Sequence, residues 1–109
     1  MKTLVVLALL AATVPAVAVA GEIYGTITEN GTPIKEGMKV NLLCGEKTYG
    51  GETDKNGAYR LFAEEEGKCT ISVPVGEESP STTVHSFADS ARYNLILEKK
   101  DGKYTLRSE

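Results

Sequence analysis

The chain has 109 residues, of which the first 20 include 16 hydrophobic ones and the remaining 89 include 29. Without Lys2 the remainder carries 11 Lys and Arg against 15 Asp and Glu, a net charge of −4 on a stretch of one-domain length. An acidic stretch with five Tyr, two Phe, no Trp, one His and two Cys excludes the basic footprint of a nucleic-acid binder and an all-His/Cys metal site, so no cofactor is expected.

Lys2 is followed by an apolar run from Leu4 to Leu10, small residues to Pro15, and then Ala18-Val19-Ala20 before the polar Gly21-Glu22. A short positive start, an apolar centre and an A-x-A ending predict a secretory signal peptide over residues 1–20, cut after Ala20. Pro15 and the small residues behind it argue against a retained membrane anchor. The expectation is a protein exported to the periplasm or beyond, from a bacterial type of signal, with one domain at residues 21–109.

That domain reads as short strands of period two separated by turns. Ile23 and Ile27 share one face of the segment Glu22 to Thr28, and Asn30-Gly31-Thr32-Pro33 supplies a turn. Met38, Val40, Leu42 and Cys44 alternate with Lys39, Asn41 and Leu43. Lys47 to Tyr49 reads as a short edge strand. Tyr59, Leu61 and Ala63 alternate with Ala58, Arg60 and Phe62, and Cys69, Ile71 and Val73 with Lys68, Thr70 and Ser72. Ser81 to Phe87 forms a strand whose inward phase the pattern does not decide. Tyr93, Leu95 and Leu97 alternate with Arg92, Asn94 and Ile96, and a Lys100-Asp101-Gly102 turn leads to Tyr104 and Leu106. About seven short strands predict a single antiparallel Greek-key β-sandwich.

An exported domain changes the reading of Cys44 and Cys69, which more naturally form a disulfide than a redox or metal pair. In the predicted phase both lie on apolar faces, so the expected bond is internal and joins two strands through the core. Closing a loop of about 25 residues stabilises a fold by roughly 3.5 kcal/mol in the chain-entropy model.

Ordered turn and strand motifs add a family resemblance. Gly25-x-Ile27, Gly31-x-Pro33-Ile34, Gly37-x-x-Val40-x-Leu42, Thr53-Asp54-x-x-Gly57-x-Tyr59-x-Leu61 and Gly67-x-Cys69-x-Ile71-x-Val73 together resemble the carboxypeptidase regulatory-like domain, a transthyretin-like sandwich. The resemblance covers residues 21 to 75. The family usually has an aromatic residue where this chain has Cys69, so the resemblance implies that the disulfide takes the place of a packed ring. It also implies a non-catalytic interaction or structural module.

Other constellations have ordinary readings. Asp54-x-Asn56-Gly57, with Glu65 at the twelfth place, has the beginnings of a calcium loop, but Tyr59 and Leu61 pull the segment into a strand and favour a turn. Ser86, His85 and Asp89 are generic side chains without a second His, and no enzyme is expected. Transthyretin-related hydroxyisourate hydrolases end in Tyr-Arg-Gly-Ser, whereas this chain ends Tyr104 to Glu109 without that signature. Lys39 and Asn94, the nearest pair for an internal isopeptide crosslink, fall on outward phases. Tyr93 is expected in the core with its hydroxyl on backbone.

The remaining signal is apolar residues on outward phases. Tyr24, Leu43, Phe62 and Ile96 form the candidate interaction patch if they share one sheet, and a protein partner is the first expectation. The alternative is a carbohydrate-binding module using Tyr24, Tyr49 and Tyr104 as ring platforms.

Overall fold

A computed structural model describes residues 21–109; the expected signal peptide at residues 1–20 lies outside the described residues. Ile23 and Ile27 are fully buried, and the strand that carries them, β1 (Gly21–Glu29), organises one sheet. Every second residue of its first eight is buried, the period that a strand with one wet face requires. A two-residue turn at Asn30 and Gly31, with φ of 57° and 79°, leads to the short β2 (Thr32–Pro33). Two consecutive positive φ values match the twist of a tight hairpin, which Asn-Gly adopts readily.

The chain then crosses to a second sheet for β3 (Lys39–Cys44) and β4 (Lys47–Glu52), and returns to the first with β5 (Ala58–Ala63). It crosses again for β6 (Gly67–Ser72) and β7 (Ser81–Ser86), and finishes in the first sheet with β8 (Ala91–Arg92), β9 (Leu95–Lys100) and β10 (Lys103–Ser108). The second sheet has the order β4-β3-β6-β7, antiparallel throughout. In the first sheet, β5 and β2 flank β1 in antiparallel fashion, while β8 and β9 lie beside it in parallel, and β10 closes on β9. The all-β sandwich is as the alternation predicts. The parallel pairs modify the wholly antiparallel expectation, because strands far apart in sequence can be neighbours in either sense and period two does not distinguish them.

The core lies between the sheets. Ile23, Ile27, Leu61, Leu95 and Leu97 from one side meet Val40, Leu42, Ile71 and Val84 from the other, each at most 1% exposed. Full burial of such side chains stabilises the fold by about 1.5–3 kcal/mol apiece before conformational entropy is counted. Val84 and Ser86 set the inward phase of β7 that alternation alone left open. The predicted edge segment at Lys47 is a full six-residue strand, with Gly50 and Gly51 within it where side-chain alternation gives no signal.

Cys44 and Cys69 form a disulfide, and both are 2% exposed. They are neighbours on β3 and β6 of one sheet, with Cα atoms 4.4 Å apart, the approach expected of a non-hydrogen-bonded antiparallel pair. The bond therefore lies in the core without crossing it, since both strands belong to the same sheet.

Backbone contacts position the segment before β9. Gly25 faces inward, and a Cβ there would overlap the Tyr93 carbonyl oxygen, so only glycine lets β1 and the segment before β9 approach. The Tyr93 amide in turn donates to the Tyr24 carbonyl at 2.8 Å. Buried Thr53 ties the β4–β5 turn to the chain before β3: its hydroxyl donates to the Lys35 carbonyl at 2.7 Å and accepts the Met38 amide at 3.0 Å.

Candidate interaction face

The burial phase of β1 places Glu22, Tyr24, Thr26 and Thr28 on the outer side of the first sheet. The register then assigns their neighbours. Phe62 lies opposite Glu22 and Arg60 opposite Tyr24 on β5, and Arg92 of β8 flanks Tyr24 on its other side. Tyr24 thus stands between two arginines in a single row across the sheet. Farther along, Ile96 lies opposite Thr28, and Glu98, Lys100, Lys103 and Arg107 complete the outward phase of β9 and β10.

The charges of this face differ in how they are matched. The Arg60 Nε lies 2.6 Å from Glu22 Oε2, and the Ser90 hydroxyl donates to the other oxygen of Glu22 at 2.6 Å. Arg107 faces Glu98 at 3.4 Å. Arg92 has its guanidinium 6.0 Å from the centre of the Tyr24 ring and forms no ion pair among the described residues. A shallow groove of about 450 Å³ is lined by Tyr24, Thr26, Arg60 and Arg92 together with Glu52 and Asp54.

Three of the four residues expected in the patch therefore share this face. Leu43 does not: it is 48% exposed on the outer side of the second sheet, between Thr48 and Thr70. Tyr24 and Phe62 are diagonal neighbours across β1 and β5. Ile96 is separated from them by Thr26 and Asn94, whose side chain accepts the Thr26 amide at 3.2 Å. The three apolar residues are consequently interleaved with charge. Sequence reading missed the arginines, although each occupies an outward strand phase, because which strands share a sheet is not written in the alternation.

The remaining candidates separate. Tyr49 and Tyr104 pack against the core from the edge strands β4 and β10, so neither shares a platform with Tyr24. The Tyr49 hydroxyl donates to Glu65, which also faces Lys47 at 3.7 Å. Glu65 and Glu64 together hold the exposed Lys47 ammonium above its ordinary pKa. Asp54 accepts the amides of Ala58 at 3.0 Å and Asn56 at 2.8 Å through one carboxylate oxygen, the geometry of an Asx turn. Those two hydrogen bonds hold its carboxyl below the usual range. His85 and Ser86 are adjacent on β7 and face opposite ways, His85 toward solvent beside Phe87 and Ser86 into the interior. Lys39 pairs with Glu52 on the second sheet, far from Asn94 on the first.

A second groove, about 680 Å³, opens at one end of the sandwich. Ile34, Met38, Val75 and Leu97 contribute apolar lining, with Glu29 and Lys35 among the polar groups there.

No protein-family model and no curated protein matches the chain. Among solved structures it is similar to a DUF3823 family protein from Parabacteroides merdae, with a TM-score of 0.58 and 14% sequence identity. The match covers 72% of this chain and 46% of that one, so the chain spans about half the length of the protein it resembles. At that identity the likeness concerns the fold, a β-sandwich, and not activity.

Proposed function

We propose that this chain is an exported, non-catalytic β-sandwich module of the carboxypeptidase regulatory-like type, acting by protein contact as an accessory or structural domain. The Cys44–Cys69 disulfide suits an oxidising compartment, periplasmic or extracellular, and agrees with the signal-like segment at residues 1–20. The motifs from Gly25 to Val73 support the family assignment through the positions they occupy, with Asp54 closing an Asx turn and Gly57 at a φ of 74° before β5.

The observation that carries the contact reading is the gathering of Tyr24, Phe62, Arg60 and Arg92 on one sheet face, with Phe62 54% exposed. Tyr and Arg, with other aromatics, are the residue types enriched where partners bind. A glycan platform has less support, since Tyr49 and Tyr104 pack on the core.

A photo-crosslinking amino acid at position 62, compared with the same residue at position 43, tests the reading in producing cells. A discrete protein adduct from position 62 and none from position 43 is the expected result. Adducts from position 43 alone, or from neither position, overturn it.

A further inference from the structure

We infer that the outer face of the β1 sheet docks an acidic polypeptide segment, with Arg92 receiving one of its carboxylates. The inference rests on the contact reading and adds the chemistry of the partner.

All three arginines of the chain, Arg60, Arg92 and Arg107, lie on this face. With Lys100 and Lys103 they make five bases against two acids on the outward strand phases, Glu22 and Glu98, and Glu52 and Asp54 lining the groove bring the balance to a net charge of +1. Residues 21–109 as a whole carry −4, so the face has the opposite sign to the domain that bears it. Its acids are already engaged: Glu22 by Arg60, Glu98 by Arg107, Glu52 by Lys39, and Asp54 by the Asn56 and Ala58 amides. Arg92 is the arginine whose planar donors remain for an incoming carboxylate, which a guanidinium binds through two parallel hydrogen bonds.

The manner of docking follows from the sheet. β1 is paired with β5 on one side and with β8 and β9 on the other, so its backbone is not open to strand addition. A partner must meet this face through side chains. Phe62, Tyr24 and Ile96, interleaved with the bases, offer apolar contacts that match a segment presenting acidic and apolar side chains together on the side that meets the face, at every second residue of an extended chain. A polyanionic glycan matches the charges and leaves Phe62 and Ile96 without counterparts, and a lipid surface is flat where the groove beside Tyr24 is recessed.

The probe is a synthetic peptide repeating Glu-Ser-Phe-Ser, which in an extended chain sets Glu and Phe on one side, titrated into the isotopically labelled domain and followed by amide chemical shifts. The expected result is shifts at Tyr24, Arg92 and Ile96, with affinity that weakens steeply between ~0.05 and ~0.3 M salt. Arg92→Gln weakens binding by about tenfold or more, and Arg92→Lys lies between, because it keeps the charge and loses the planar fork. If Arg92→Gln lowers the melting temperature, Arg92→Lys carries the comparison. Unchanged affinity in the variants, shifts confined to the β3–β4 face, or no binding overturns the inference. So does tighter binding of polygalacturonate or of phosphatidylglycerol vesicles than of the peptide. A protein adduct from position 62 to a partner segment without acidic residues leaves the contact reading standing and removes this inference alone.

Discussion

The Tyr59 hydroxyl donates to the Tyr93 carbonyl at 2.6 Å, and the Tyr93 hydroxyl in turn bridges the His85 backbone, accepting its amide at 3.0 Å and donating to its carbonyl at 3.2 Å. Two phenols thus connect β5 of the first sheet, the segment between β8 and β9, and β7 of the second sheet. Burial pushes the Tyr59 phenol well above its ordinary range, which favours the protonated, donating form.

Tyr59→Phe leaves the Tyr93 carbonyl without this donor while keeping the ring in the core. The expected loss is about 1 kcal/mol of unfolding free energy, read from denaturant titration. A loss of several kcal/mol would show that the ring itself is displaced.

Reduction of Cys44–Cys69, or the paired change to Ser, is expected to lower stability by roughly 2–4 kcal/mol. Thiol labelling of the native protein without reductant should find neither cysteine, and labelling of both would contradict the bond.

Gly25→Ala places a methyl group where the Tyr93 carbonyl oxygen stands. Overpacking of that kind costs about 1–3 kcal/mol, and the melting temperature should fall accordingly. Amide shifts should concentrate along Tyr24 and Tyr93, whose backbone hydrogen bond must move.

Asp54 gives an acid-side signature. Its carboxyl is held low by the Ala58 and Asn56 amides, so the unfolded chain binds protons more readily than the folded one in that window. Its contribution is complete above the ordinary carboxylate range and is lost as pH falls through the lowered folded value. Asp54→Ala should therefore melt below the parent at neutral pH, and the gap should narrow on acidification. A gap that widens toward low pH would reverse the assignment.

Phe62→Ser is expected to change unfolding free energy by no more than about 0.5 kcal/mol, because the ring is largely exposed. Circular dichroism melts check this, and they separate a contact role from a structural one. A large loss would place Phe62 in the packing of the sheet.

Much of the sandwich was legible along the chain. Ile23 and Ile27, Val40 and Leu42, Leu61, Ile71, and Leu95 and Leu97 are inward as their alternation implies, because a strand with one buried face repeats every two residues. The pattern failed where side chains carry no contrast. β7 is mostly Ser and Thr, and β4 ends through two glycines, so only packing set their phase and length. The candidate patch failed in part for another reason: Leu43 has an outward phase like Phe62, but on a strand of the other sheet.

The sequence by itself determined the strands, their buried faces and two cysteines on inward phases, since these depend on neighbours a few residues apart. Only the tertiary structure decided that Cys44 and Cys69 are partners within one sheet, that β1 runs parallel to β9, and that Arg60, Arg92 and Arg107 meet on one face. Those arginines are 32 and 15 positions apart along the chain. Strand order brings them together, and it is set by which buried faces pack, a long-range outcome that local periodicity does not encode.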